Sequence, residues 1–333
     1  MNCVIFGAGA WGTALAIHLS RQGHTVSLVP RRLEQALALT SLRENIDYLP
    51  GHRLNDSIQV ALEPIPALMD ADLIFIACPS KGLAELLQSI GPAVRASSAV
   101  MAISLCKGLD QSTLRRPTEM MAAAFGTLPV ATLSGPSNAD EVARGLPTAL
   151  VLAALQDDKL LRDVQSAVSG PSLRAYTSSD LAGVEIAATL KNVYALGAGL
   201  CDGLQLGSNA KAAFLTRALQ EMMRLGQAVG GRTETFLGLS GVGDLMATAH
   251  GSWSRNRAFG EQLAIHPQTT LKALTTRRDS VEGYRATETL SKLAAQKGVA
   301  TPILFCLNEI LFAGLEPRAG VLALMTRDLK SEV

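Results

Sequence analysis

At 333 residues, 48% hydrophobic and 18% charged, the chain carries apolar material for about two domains and too little charge for extended disorder. Its 30 basic and 29 acidic residues leave a net charge of +1, which excludes nucleic acid or an anionic membrane as the main partner, since both call for a concentrated basic face. Five cysteines, odd in number and without a CxxC pair, fit reduced thiols rather than a disulfide framework, and no histidine stands four residues from another beside a carboxylate, so no metal site is expected.

The first half alternates strand-like and helical stretches. Residues 2–6 read as a short apolar strand, and 10–22 as a helix closed by Gly23 in a left-handed cap. Strands follow at 25–29, 58–62, 73–77, 100–104 and 131–134, with helices such as 81–90 and 113–125 between them; two more strands are expected at 149–154 and 173–177. The run Ile74-Phe75-Ile76-Ala77 is apolar without alternation, the mark of a parallel strand covered on both faces. From Leu181 the pattern changes to helical periodicity, at 181–200, 210–229, 290–296 and 303–312. The expected fold is therefore α/β: a Rossmann-type, doubly wound parallel sheet over 1–179 and an all-α domain over 180–333. No basic segment precedes the first apolar run, and the runs at 71–79 and 147–155 reach about half of the roughly 18 residues a membrane helix needs, so a cytoplasmic location is expected.

Gly7-Ala8-Gly9-Ala10-Trp11-Gly12 sits between the first strand and the first helix. In such a turn the first glycine permits a tight bend, the second lets the backbone approach a pyrophosphate, and the third lets helix and strand pack closely. The helix N-terminus adds free N–H groups and partial positive charge. At the end of the second strand, where an acid would bond the ribose hydroxyls of NAD, the chain has Val29-Pro30-Arg31-Arg32. Paired guanidinium groups suit a 2′-phosphate, so NADP(H) is expected to be preferred or accepted alongside NAD(H).

Further polar and glycine-rich segments follow: Ser104-Leu105-Cys106-Lys107-Gly108, Ser134-Gly135-Pro136-Ser137-Asn138-Ala139-Asp140-Glu141, Leu190-Lys191-Asn192-Val193-Tyr194-Ala195, Gly241-Val242-Gly243-Asp244, Gly251-Ser252-Trp253-Ser254-Arg255-Asn256-Arg257 and Val281-Glu282-Gly283. Taken alone, Lys191 on its apolar helix would snorkel to solvent, Asp244 would cap a helix, and Cys106 would be a small strand residue. Buried instead, Lys191 would have its pKa pulled down toward values useful for proton transfer. On the residues alone, a hydroxy-acid or sugar-acid dehydrogenase and a nucleotide-sensing regulatory protein stay open. The absence of a basic reading helix speaks against the second.

In this order, down to the closing Leu324-Met325-Thr326-Arg327-Asp328-Leu329-Lys330, the segments resemble the bacterial, NAD(P)-dependent type of glycerol-3-phosphate dehydrogenase over nearly the whole chain. The resemblance implies a helical domain like the C-terminal domain of 6-phosphogluconate dehydrogenase. It implies reversible reduction of dihydroxyacetone phosphate to sn-glycerol 3-phosphate for phospholipid synthesis, by a homodimer without a metal. It assigns proton transfer to Lys191, supported by Asn192 and Asp244. Substrate binding falls to Lys107, Gly135, Ser137, Lys191, Asp244, Ser254, Arg255 and Asn256. Cofactor contacts fall to Gly7, Gly9, Ala10, Trp11, Gly12, Arg31, Arg32, Tyr48, Lys107, Ala139, Arg255, Val281 and Glu282. Asn138 departs from the family, which often has an aromatic residue there.

Overall fold

The structure, a computed structural model of the chain, describes residues 1–155, 159–274, 281–329 and 331; Lys330, the last residue of the closing run, lies outside the described residues. The chain packs as two compact units, Met1–Glu185 and Ile186–Val333. Its strands are β1 (Asn2–Phe6), β2 (Thr25–Val29), β3 (Glu44–Asn45), β4 (Leu49–Arg53), β5 (Ile58–Val60), β6 (Leu73–Ile76), β7 (Met101–Ser104), β8 (Val130–Ser134), β9 (Thr148–Ala154) and β10 (Leu173–Ser178). The helices are α1 (Ala10–Arg21), α2 (Leu33–Leu42), α3 (Pro64–Met69), α4 (Leu83–Ala96), α5 (Pro117–Phe125), α6 (Ala139–Arg144), α7 (Lys159–Val168), α8 (Leu181–Gly203), α9 (Gly207–Ala228), α10 (Thr233–Leu237), α11 (Asp244–His250), α12 (Arg255–Ile265), α13 (Pro267–Ala273), α14 (Glu282–Gln296), α15 (Pro302–Phe312) and α16 (Pro317–Met325).

In the first unit, eight strands form one sheet in the order β10-β9-β8-β7-β6-β1-β2-β5. They are the eight expected from the apolar runs. Ile5, Phe75 and Ile103 stand in register and pack with Leu15 and Leu19 of α1 on one face. Val4, Ile74 and Ala102 face the other way, onto Leu87 and Ile90 of α4 and Phe125 of α5. With both faces covered there is no solvent side to be polar, which is why β6 and β7 are buried at every residue. Each fully buried Leu, Ile or Phe contributes about 1.5–3 kcal/mol of transfer free energy.

One junction departs from the expected all-parallel sheet: β8 and β9 are antiparallel. The helix between them, α6, has six residues, a rise of about 9 Å, too short to carry the chain back along a five-residue strand of about 17 Å. The hairpin of β3 and β4 was also not legible in the pattern, because Leu49-Pro50-Gly51-His52-Arg53 has no alternation. Backbone pairing holds it, with Leu54 N–H donating to Arg43 O at 2.7 Å, and a side chain adds to this, the Glu44 carboxylate accepting from Gly51 N–H at 2.7 Å.

The second unit contains only helices and one π-helical turn, Leu239–Gly243, among its described residues. Small residues set how closely these helices approach. A Cβ on Gly199 or Gly203 of α8 would strike the carbonyl of Arg257 or Glu261, and one on Gly260 would strike that of Leu196. Helix α14 begins at Glu282, eight residues before the apolar periodicity suggests. Its first turns bury Gly283, Ala286, Thr287 and Thr289, residues that fill a helix face without looking hydrophobic.

In the first unit, Glu185 is 2% exposed and accepts from Thr118 N–H at 2.9 Å, Thr118 Oγ1 at 2.5 Å and Arg116 Nη1 at 3.0 Å. Burial pushes its carboxyl up to about 7, against the pull of Thr118 and Arg116. The folded chain then holds this proton more tightly than the unfolded chain, whose value is 4.5, so Glu185 destabilises the fold progressively as pH rises between these values. The linkage is on the order of 3 kcal/mol at most. Glu185→Gln should gain in Tm over the wild type as the buffer moves from about pH 5 to about pH 8; a gap constant with pH in differential scanning calorimetry would contradict this.

Candidate active site

The glycine turn begins where β1 meets its two neighbours, β2 on one side and β6 on the other, the point at which the strand order reverses. Gly7 has φ 109°, and a Cβ there would lie 2.6 Å from the Ala77 carbonyl oxygen. A Cβ on Gly12 would strike the Gly7 carbonyl, so these two glycines are demanded by the fold. Gly9 is different: apart from Gly9 itself and its two chain neighbours, nothing in the protein lies within 4 Å of the position its Cβ would take. That open cradle, at the N-cap of a helix that no side chain caps, fits a pyrophosphate seated against the backbone. The indole Nε1 of Trp11 is buried without a protein partner, a second group suited to a bound ligand. The residues present therefore fit a dinucleotide.

Gln35 Nε2 and Asn45 Nδ2 donate to Ala8 O at 2.7 and 3.0 Å, and Asn45 also reaches Thr13 Oγ1 at 2.7 Å. These braces of the turn were missed in the sequence because nothing local marks them. Ala10 opens α1. Beyond β2, Arg31 and Arg32 are exposed, and Arg31 Nη2 sits 3.2 Å from the Glu85 carboxylate. An exposed pair of this kind holds the guanidinium weakly and can exchange it for another anion. Tyr48 is 38% exposed in the turn between β3 and β4.

The loops after the parallel neighbours β7 and β8 bring three expected residues together. Lys107 Nζ donates to Gly135 O at 3.3 Å and to Ser137 Oγ at 3.2 Å, and Ser137 Oγ donates to Gly135 O at 3.0 Å. Asn138 caps α6, its Oδ1 accepting from the N–H groups of Asp140 and Glu141 at 2.9 and 3.4 Å, and Ala139 is the first residue of that helix. The departure from an aromatic residue thus has a local cause, a polar N-cap.

In the second unit, Lys191 is 5% exposed and Asp244 fully buried. Lys191 Nζ lies 3.0 Å from Asp244 Oδ1 and donates to Thr248 Oγ1 at 2.8 Å. Thr248 spends its own hydroxyl proton on Asp244 O, one turn earlier at 2.7 Å, which leaves its lone pairs to the ammonium. Asp244 is the first residue of α11 and follows the π-helical turn, and its carboxylate faces the lysine rather than capping the helix. The carboxylate beside Lys191 is a counterion that the local sequence did not reveal, since burial was the only influence visible there.

The next residue on α8 heads a second network. Asn192 Nδ2 donates to Glu282 at 3.0 Å, its Oδ1 accepts from Asn256 Nδ2 at 2.9 Å, and Asn256 Oδ1 accepts from Gly283 N–H at 2.9 Å. Val281 is the buried N-cap residue of α14 and Glu282 its first residue. Ser254 caps α12, its Oγ accepting from Arg257 N–H at 3.3 Å, and Arg255 is exposed at the first position of that helix.

The models that describe the N- and C-terminal domains of NAD-dependent glycerol-3-phosphate dehydrogenase match residues 2–160 and 180–321. The chain belongs to this dehydrogenase family. Over the full length of both chains it is 44% identical to a protein of Thermus thermophilus named glycerol-3-phosphate dehydrogenase (NAD(P)+), and 41% identical to one of that name from Herminiimonas arsenicoxydans. The crystal structure of glycerol-3-phosphate dehydrogenase from Coxiella burnetii superposes with a TM-score of 0.91 at 34% identity, covering 98% of each chain.

Thr248 was the residue of the lysine site that sequence reasoning missed; its signal was its place four residues after Asp244, on the same helical face. Thr248→Val keeps the shape and removes the oxygen that accepts from Lys191. It should lower kcat roughly tenfold with little change in the KM for the nucleotide. Steady-state kinetics with both substrates varied would test this, and an unchanged kcat would count against it.

Proposed function

We propose that the protein is an NAD(P)-dependent glycerol-3-phosphate dehydrogenase, an oxidoreductase that reversibly reduces dihydroxyacetone phosphate to sn-glycerol 3-phosphate with NADPH or NADH. Residues 1–179 bind the nucleotide and residues 180–333 carry the substrate chemistry. The observation that carries this reading is the buried Lys191–Asp244–Thr248 cluster in a chain of this family. Gly7, Gly9, Ala10, Trp11 and Gly12 would hold the pyrophosphate, with Arg31 and Arg32 toward the adenosine ribose; Tyr48, Ala139, Val281 and Glu282 are further contacts. When bound, the nicotinamide supplies a hydride to the ketone carbon.

The lysine ammonium polarises the ketone oxygen and delivers a proton to it as alkoxide character develops. Asp244 balances the ammonium charge, and Asn192, held by Glu282 and Asn256, keeps the neighbouring backbone in place. Arg255 and Asn256 stand in the first turn of α12, which contains no acid, and there a substrate phosphate meets a guanidinium, an amide and helix N–H groups. Phosphate binding remote from the reacting carbon orients it. Ser254, Lys107, Gly135 and Ser137 are assigned to the same substrate. Among the described residues no His, Cys, Asp and Glu cluster suited to a metal occurs, and the lysine is the electrophile in this reading.

The same reading carries a homodimer and a cytoplasmic address, with its product supplied to glycerophospholipid synthesis and no nucleic acid as partner. Its support is the family, the near-neutral charge and five free cysteines. Among the described residues no helix is long and apolar enough to cross a membrane.

Oxidation of NADPH by dihydroxyacetone phosphate, followed at 340 nm with NADH in parallel, is the direct test, and no turnover with either nucleotide would defeat the proposal. Lys191→Ala should lose on the order of 10³ in kcat while nucleotide affinity survives. Arg255→Ala should raise the KM for the phosphorylated ketone at least tenfold, and an unchanged KM would remove the phosphate from α12. Replacing Arg31 and Arg32 together by alanine should lower kcat/KM for NADPH roughly tenfold more than for NADH; equal losses would mean the arginines do not read the 2′-phosphate.

A further inference from the structure

We propose that Cys78 and Cys106 form a redox-active dithiol, a modification site at which a hydroperoxide closes a disulfide that reversibly slows the enzyme. The two cysteines are 28 residues apart in sequence, but each stands two residues beyond the Ile76–Ser104 pair of the adjacent parallel strands β6 and β7. Neighbouring strands run about 4.8 Å apart, within the Cα separation of about 4.4–6.8 Å that a disulfide spans. The Sγ atoms are 4.0 Å apart, and the Cys106 thiol donates to the Cys78 carbonyl at 3.0 Å. The two loops already touch one step further on, where a Cβ on Gly108 would lie 2.8 Å from Ser80 Oγ. Closing the 4.0 Å gap to a disulfide bond takes rotation of the two side chains together with a movement of the two loops that carry them.

Exposure divides the roles. Cys78 is half-buried and open to an oxidant, whereas Cys106 is 5% exposed and lies behind it. The Cys78 sulfur attacks one peroxide oxygen, forming an S–O bond as the O–O bond breaks, and water or an alcohol leaves. The Cys106 sulfur then attacks Cys78 Sγ; the S–S bond forms, the S–O bond breaks, and hydroxide departs with the Cys106 proton as water. Two thiols give up two electrons, and one peroxide takes them. Burial pushes the thiols of Cys3, Cys201 and Cys306 up to about 12, 11 and 11, so the remaining cysteines hold little reactive thiolate.

The position gives the bridge its effect. The Ala77–Cys78 peptide is the floor on which Gly7 packs, with Cys78 N 3.2 Å from where a Cβ on Gly7 would lie. Cys106 precedes Lys107, which holds Gly135 and Ser137. Drawing the sulfurs together to about 2 Å pulls on the nucleotide turn and the lysine loop at once.

The test treats the purified full-length protein with hydrogen peroxide. The free-thiol count should fall by two, peptide mass mapping should find Cys78 joined to Cys106, and turnover should fall roughly tenfold and return with dithiothreitol. In Cys106→Ser, Cys78 should instead accumulate as a sulfenic acid that dimedone traps, and Cys106→Ala provides the same readout should the serine disturb packing. An unchanged thiol count, a bridge between other cysteines, or a bridged enzyme turning over at the reduced rate would overturn the proposal. Thiol count and mass mapping do not depend on substrate, so a failure of the dehydrogenase reading would be seen separately.

Discussion

A lysine ammonium shut inside a packed helical unit is the constraint around which the second unit is arranged. Left alone, such a cation is costly to bury, and the cost is met only when its N–H groups find acceptors and its charge a counterion. Asp244 and Thr248 meet both needs from one helix, and the π-helical turn before α11 brings Asp244 in as a partner rather than a cap. Each member bonds to the other two, so removing any one takes a partner from both of the others. Successive residues on a helix point about 100° apart, which sends Asn192 away from this cluster and into the second network with Asn256 and Glu282. Helix α8 therefore turns one face to Asp244 and Thr248 and another to α12 and α14. The collision of any Cβ at Gly283 with the Asn192 carbonyl shows how closely that second face is held.

The sheet was legible in the sequence because its signal is local. A strand buried on both faces must be apolar at every position, and a tight strand-to-helix bend must have glycine, so neither requires knowledge of distant partners. Gly7, Gly9 and Gly12 nevertheless have unlike causes. Two are demanded by Ala77 and by each other, and only Gly9 leaves space that a ligand would use. Sequence spacing alone does not separate these cases.

The site was legible unevenly. Lys191, Asp244 and Asn192 were found through family resemblance, since a lysine on an apolar helix looks the same whether it snorkels or is buried. Thr248 escaped because its role appears only when a residue 57 positions earlier comes to meet it. Gln35 and Asn45 escaped for the same reason, as braces whose partner is a backbone carbonyl. The Cys78–Cys106 pair is the clearest instance: strand adjacency, not spacing in the chain, brings the sulfurs to 4.0 Å. The antiparallel turn into β9 follows from the length of α6, a number visible in the sequence only once its ends are known.

Electrostatics completes the division of labour between fold and site. Both ligands of the proposed reaction are anions, yet the chain carries a net charge of +1 and offers no broad field to draw them in. Screening over about 8–10 Å would blunt such a field in any case. In the proposed reading, recognition falls to groups set at close range: Arg31 and Arg32 past the end of β2, Lys107 against the β8 loop, and Arg255 at the first turn of α12. The weak partner of Arg31, an exposed glutamate, is what such a design needs, because a guanidinium locked in a buried pair could not be surrendered to a phosphate without exposing an unmatched carboxylate. In that reading, the buried Lys191 moves the proton, and the exposed Arg31, Arg32 and Arg255 hold the ligands.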